Sequence, residues 1–397
     1  MFEKIKKLPA WNIRNIRIYY ALGLLTNLWF IAGNWIFFWI RFMTFGQLGI
    51  MDATAFAFGL AMEIPSGAIS DLIGKRKTII WSMGLSLVGT MMMALATDII
   101  HIWVGFFVGQ LGWAFYSGAA EALAYDSLVD TGQEKEYENV ASAYGTITSI
   151  SIVFATLVGG LLYTWWFRST HLFWSLGYLV AFLLSFKLIE PKIDTIKFSF
   201  SNYFKQLASG TRQLFKPKLL PFILVILSLM GAGYLYEWGL VKPTMAKEFG
   251  FMDKEQAVIF AVMSTIGALA ISLMPRIRKV ISDKAGLYLL TLIMGIGFVL
   301  AFFNLGWWGL LPLFLIGVTG SLSTPWISTV VNDEIDSKYR TTTLSTVALL
   351  TKIPYVLLAI IAGSMAENGT FNVFNLGVGV VVIGSVLFGA LMLKIRH

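Results

Sequence analysis

Twelve long apolar stretches dominate the chain, centred near Trp29, Leu60, Leu87, Gly112, Ser151, Leu179, Met230, Thr265, Leu292, Val318, Lys352 and Ile383. Each approaches the roughly 20 residues an α-helix needs to cross the hydrocarbon layer, where every backbone polar group must find its partner inside the segment. The pattern predicts an all-α membrane protein of 12 transmembrane helices. Charged residues make up 13% of the 397 positions, against about 25% in soluble globular chains, so the bilayer is the solvent for most of the surface. Cysteine is absent, which excludes disulfides, thiolate metal sites and cysteine nucleophiles. His101, His171 and His397 are too scattered for a metal cluster. With no nucleophile-base set and no phosphate-binding loop, neither an enzyme nor an ATP-driven pump is expected, and neither a cofactor nor a metal.

The formal charge of +8 would point to nucleic acid in a soluble protein. Its distribution argues otherwise. With the N-terminus inside, the inner connections carry Lys75, Arg76 and Lys77, then Arg276, Arg278, Lys279 and Lys284, and a basic run between Lys187 and Lys218. The outer connections carry Arg41, Arg168, Lys242, Lys247 and Lys254. Positive residues are retained on the cytoplasmic side, so both termini are expected in the cytoplasm, with the lipid bilayer rather than nucleic acid as partner. Trp103, Trp165, Trp166, Trp307 and Trp308 fall at the outer boundaries, where amphipathic rings anchor. The basic start MFEKIKKLPAWNIRNIR precedes an apolar run without a small-residue cleavage site, which reads as a retained first helix.

One inner connection is long, and it separates six spans from six. The expected organisation is a six-helix bundle over 1–189, a cytoplasmic linker over 190–218 and a second six-helix bundle over 219–397. Phe198, Phe200, Tyr203, Phe204, Leu207 and Leu214 in the linker fit an amphipathic helix at the membrane surface as well as a solvated connection. The halves echo each other: SDLIGKRKT after the second span has RIRKVISDKAG as its counterpart after the eighth, and YDSLVDTGQEKEYENVASAYG after the fourth has VVNDEIDSKYRTTTLSTV after the tenth. Two parallel repeats of six spans are one way transporters place a solute site at the repeat interface.

The run from Gly67 through Asp71 and Gly74 to Lys75, Arg76 and Lys77 joins a glycine for close packing, an acid at a helix end, a glycine turn and a basic cluster. It resembles the loop signature of the major facilitator superfamily, in the same place after span two. The resemblance covers the whole topology and implies that fold and a secondary transporter. It further implies that Asp71 and the basic residues form a latch with a neighbouring span, for which Asp126 is the expected partner of Lys75 or Arg76. The family usually has a basic residue directly after the aspartate, where Leu72 stands here. The Phe107-Val-Gly-Gln110-Leu111 and Ala155-Thr-Leu-Val-Gly159-Gly160 runs depart from the signatures of drug/proton antiporters. EIPSG at Glu63 and EALAYDSL at Glu121 look like phrases of bacterial members of the superfamily and imply no substrate.

An ionisable residue inside a span costs about 2.5–3.5 kcal/mol on insertion scales and is a functional candidate for that reason. Glu63, Glu121 and Glu237 are the candidates for proton coupling. Glu63 stands two residues before Pro65, and Glu121 shares a helical face with Gln110, Ala114 and Ser117. Lys352, near the middle of span eleven, needs a counter-charge, for which the resemblance implies Glu237, since spans seven and eleven both border the cavity in that family; Tyr234 lies on the face of Glu237, and Tyr355 on that of Lys352. Asn27, Asn34 and Arg41 recur every seven residues and would form a stripe on one helix. These residues, with Trp326 of span ten, are the substrate-cavity candidates. Small hydroxyl residues elsewhere in span ten read as packing contacts, and Asn368-Gly-Thr as a turn.

The expectation is a monomeric, multi-pass transporter of the cytoplasmic (inner) membrane that moves a small-molecule substrate by alternating access, coupled to protons or another ion. Efflux of small amphipathic organic compounds leads. A proton-coupled symporter for an organic anion or nutrient is the alternative, and a non-transporting membrane sensor or lipid-moving protein on the same fold is the reading from a different class.

Overall fold

The computed structural model describes residues 8–192, 220–334 and 340–395, with single positions 201, 205, 208 and 212 between them. All regular elements among them are helical. They are α1 (Arg14–Thr26), α2 (Trp35–Trp39), α3 (Phe45–Ile73), α4 (Lys75–Ala94), α5 (Ile99–Val129), α6 (Tyr137–Trp165) and α7 (Ser169–Ser185), then α8 (Leu220–Trp238), α9 (Val241–Glu248), α10 (Asp253–Ile277), α11 (Asp283–Leu300), α12 (Leu310–Glu334), α13 (Arg340–Glu367) and α14 (Phe371–Ile395), with 3-10 turns at Glu134–Glu136 and Gly306–Gly309. The linker residues from Phe198 to Leu214 expected in an amphipathic helix lie outside the described residues.

Ten of these helices are long and apolar enough to cross a membrane, and α7 is a shorter apolar helix. The expected first span is the exception. It breaks after Thr26, where Asn27 Nδ2 donates to the Gly23 carbonyl at 2.8 Å, and resumes only for the five residues of α2. An amide that binds its own backbone competes with the helical ladder, and here it stands at the break. Span seven is α8, a full span that ends at Trp238, and the outer connection after it opens with the short polar helix α9 at Val241.

The chain divides into two compact units, Met1–Phe42 with Ala55–Phe200, and Met43–Thr54 with Ser201–His397. Each has the same internal plan. In the first unit α4 packs against α5 and α7, and in the second α11 packs against α12 and α14. Glycines allow the close approaches. A methyl group on Gly89 would meet the backbone of Gly105 and Gly109, and one on Gly379 the backbone of Gly295 and Val299. Ser82 adds a 2.7 Å hydrogen bond from α4 to the Gly112 carbonyl of α5. Interfaces of small residues and short hydroxyls are how helices associate where apolar burial offers little.

The segment Met43–Thr54 opens α3 yet groups with the second unit. Thr44 Oγ1 and Gly46 N–H donate to the Glu367 carboxylate at 2.9 and 2.8 Å, and Gly49 lies against Gly363 with their backbones in contact.

Candidate functional site

Two clusters gather most of the chemistry, one in each unit. In the first unit, Gly74 joins α3 to α4 with φ +94, a conformation glycine adopts without strain. Lys75 and Arg76 then open α4, and their backbone N–H groups donate to Glu190 at 2.7 and 2.8 Å. A carboxylate at a helix N-terminus satisfies donors that have no partner in the helix and complements the helix dipole. Arg76 Nη2 reaches the Phe186 carbonyl at 3.1 Å. Lys75 turns inward and forms a short ion pair with Asp126 of α5, both residues buried. Asn15 ties the same region together, donating to Ser127 Oγ and to the Ile189 carbonyl at 2.8 Å each and accepting from the Ile189 N–H at 2.9 Å. Gly67 lies within α3, and the side chain of Asp71 lies outside the described residues. Leu72 points outward, 83% exposed.

Sequence reasoning missed Glu190, because nothing in the primary structure links it to a helix that begins 115 residues earlier.

In the second unit, the carboxylate of Glu237 pairs with Lys242 at 2.5 Å across the break between α8 and α9. Its counter-charge is therefore Lys242 and not the expected Lys352. The interruption at Gly239 and Leu240 turns the chain so that position 242 returns to 237. The Lys242 ammonium also sits over the rings of Phe260 and Tyr236, 5.0 and 5.7 Å from their centroids, within cation–π range. Tyr234 stacks on Trp238 at 6.2 Å and meets Tyr355 edge-on at 5.4 Å. Tyr355 donates its phenol proton to Asp52 at 2.5 Å. Gly239 makes room for that phenol, since a methyl group there would touch its oxygen and ring.

Asp52 is a second residue the sequence reading passed over. With span two centred at Leu60, Asp52 falls at the membrane boundary, where a charge is ordinary. In the structure α3 starts at Phe45, so Asp52 lies two turns inside it.

The remaining candidates are dispersed. Asn27, Asn34 and Arg41 do not share a helix, because the chain is broken between them. Asn34 is buried and Arg41 bonds Tyr163 at 3.1 Å with its guanidinium 4.6 Å from the Phe167 ring. Gln110 lies over Gly59. Glu63 and Glu121 are both exposed, and Glu121 has the phenols of Tyr19, Tyr137 and Tyr144 in its electrostatic neighbourhood. Trp326 is a packing residue rather than an open ligand contact. It is 2% exposed, its indole N–H is bound to the Asp283 carbonyl at 2.8 Å, and its ring fills the space over Gly286.

Solved structures share this fold. A nucleoside transporter, NupG, aligns with a TM-score of 0.74 at 14% identity over 96% of this chain and 98% of its own. The POT family transporter PepTSo gives 0.71 at 13% identity, covering 97% and 98%, and a D-xylose-proton symporter gives 0.70 at 13% identity, covering 96% and 97%. No curated protein sequence matches the chain significantly. The family model of the Major Facilitator Superfamily matches residues 20–359, the greater part of the chain. With that match, two internally similar helical units and the Gly67–Lys75 signature in its place, the chain belongs to the major facilitator superfamily and is a multi-pass secondary transporter.

Proposed function

We propose that this transporter is a proton-coupled exporter of small amphipathic organic compounds, working by alternating access as a monomer in the cytoplasmic (inner) membrane, with twelve spans and both termini in the cytoplasm. The observation that carries the reading is the Glu237–Lys242 pair at the end of α8, where the span passes into its outer connection. At the C-terminal end of α8 the last backbone carbonyls have no partner within the helix, and a partly exposed ion pair beside them can face a ligand. The Glu237 side chain keeps 34% of its exposure. Beside it stands Trp238, 60% exposed and stacked on Tyr234. A carboxylate next to open aromatic faces suits an amphipathic cation, which can displace Lys242 as its counter-charge. A proton on Glu237 would release either partner, so solute and proton compete for one group.

The buried Lys75–Asp126 pair and its Glu190 cap supply a latch for one conformational state. Proton coupling is also consistent with the fold, which serves a D-xylose-proton symporter among the solved structures. The competing reading, a symporter for an organic anion, rests on Lys352 and Arg41. Arg41 is engaged with Tyr163 and Phe167, which disfavours it as a free anion contact.

The test is flux in proteoliposomes under an imposed proton gradient, with ethidium as the amphipathic cation and p-aminohippurate as the anion. Gradient-driven ethidium movement that falls to the level of empty vesicles in Glu237→Gln supports the proposal. Anion flux dependent on Lys352 replaces it with the symporter, and no gradient-driven flux of either solute sinks both.

A further inference from the structure

The second unit holds a buried acid that the charge pairs above do not use. Asp52 is 6% exposed, and its neighbours Met51, Ala53 and Ala55 are fully buried. Among the described residues its carboxylate has one hydrogen-bond partner, the phenol of Tyr355 at 2.5 Å. Tyr355 is 2% exposed. An ionised carboxylate in such a place has exchanged its hydration for a single bond, and among the described residues no cation pairs with it to repay the exchange.

The contact closes one end of an antiparallel seam between the opening turns of α3 and the latter half of α13. At the far end the Glu367 carboxylate receives Thr44 Oγ1 and the Gly46 N–H. In the middle, a methyl group on Gly49 would come within 2.6 Å of the Ala359 carbonyl and 3.0 Å of Gly363 Cα, so the two backbones touch. Asp52 and Tyr355 follow in register, Asp52 three residues beyond Gly49 and Tyr355 four before Ala359. Pro354 precedes Tyr355 inside the helix and withdraws one N–H from the ladder at this point.

We infer that Asp52 is a proton-binding site, and that its protonation state sets the strength of the Asp52–Tyr355 bond that closes the seam. Ionised, the carboxylate is an acceptor only and holds the phenol in a charge-assisted bond. Protonated, it acquires a donor of its own and its grip on Tyr355 falls to that of a neutral pair. No bond other than O–H forms or breaks, and the proton is exchanged with water. The ionisable groups around it are Tyr355 from α13 and Tyr234 from α8, which lies edge-on to Tyr355. Along the seam are Glu367 at its far end and Lys247 of α9, 5.4 Å from the Phe45 ring. Lys352 stands three residues before Tyr355 on α13, and Glu237 is committed to Lys242.

The inference deepens the proton-coupled reading and rests on it for any part in a transport cycle, but the protonation itself is observable without solute. The experiment is pH-difference infrared spectroscopy of the full chain in lipid nanodiscs across about pH 5 to 9. The expected result is a protonated-carboxyl carbonyl band that grows as pH falls, is lost in Asp52→Asn and shifts its midpoint in Tyr355→Phe, which keeps the acid. The Tyr355→Phe variant also serves if Asp52→Asn does not fold. Identical titrations of wild type and Asp52→Asn, or a midpoint unmoved in Tyr355→Phe, would overturn the inference. Ethidium flux under a gradient separates the two readings. An Asp52 band without flux refutes the exporter and leaves the proton site standing, whereas flux without an Asp52 band refutes the proton site alone.

Discussion

Lys75 and Asp126 stand 51 residues apart in sequence and form a buried ion pair between the start of α4 and the end of α5, with 9% and 1% of their surfaces exposed. Breaking such a pair from one side strands a charge away from water, which costs about 3–5 kcal/mol, whereas replacing both partners with apolar groups of similar size is often neutral. Asp126→Ala should therefore lower the thermal stability of the purified protein sharply, and the double variant Lys75→Met with Asp126→Leu should recover most of it. Equal losses in the single and double variants would mean that the pair contributes through something other than charge neutralisation.

Glu190 is expected to act as the cap of α4. Glu190→Ala removes the acceptor of two backbone N–H groups and should cost about 0.5–2 kcal/mol, the usual range for a lost cap. Glu190→Gln keeps one acceptor oxygen and should recover part of that loss. Both are measured by thermal unfolding in one detergent, and a stability unchanged in Glu190→Ala would show that water replaces the cap.

The packing of Trp326 gives a second stability test. A methyl group on Gly286 would overlap the indole ring, and overpacking of this kind typically costs 1–3 kcal/mol. Gly286→Ala should destabilise the protein by about that amount, and Trp326→Phe should lessen the penalty in a double-mutant cycle. If ligand binding rather than packing fixed Trp326, the two substitutions would be additive.

Asp98 caps α5, accepting the N–H groups of Ile100 and His101 at 2.9 and 3.1 Å and pairing with the His101 ring at 2.9 Å. The hydrogen bond from the His101 backbone, with help from its side chain, holds the Asp98 carboxyl below the ordinary carboxylate range. A folded-state value below the unfolded one means that the stabilisation is complete above the unfolded value and fades as pH falls through the folded one. Asp98→Asn should thus be less stable than the wild type at neutral pH, and the difference should shrink as the pH falls below the normal carboxylate range. Thermal unfolding at a series of pH values checks this, and a constant difference would refute it.

Hydropathy was enough to read ten membrane helices, because a long apolar run has few alternatives in hydrocarbon. The Gly67–Lys75 signature was equally legible, since turn chemistry is local. Helix interruption was harder. Asn27 looked like the start of a polar stripe, yet an amide can serve its own backbone as readily as a neighbour, and only packing shows which it does. Partnership was hardest. Glu237 could have met Lys352 or Lys242, and the break at Gly239 brought the nearer one back to it. Glu190, Asp52 and Tyr355 took their places from helices that meet across tens or hundreds of residues. Composition and periodicity dictate which segments are helices, since each helix satisfies its own backbone. Which charges pair is a property of how those helices pack, because side-chain partners come from segments the local sequence does not specify.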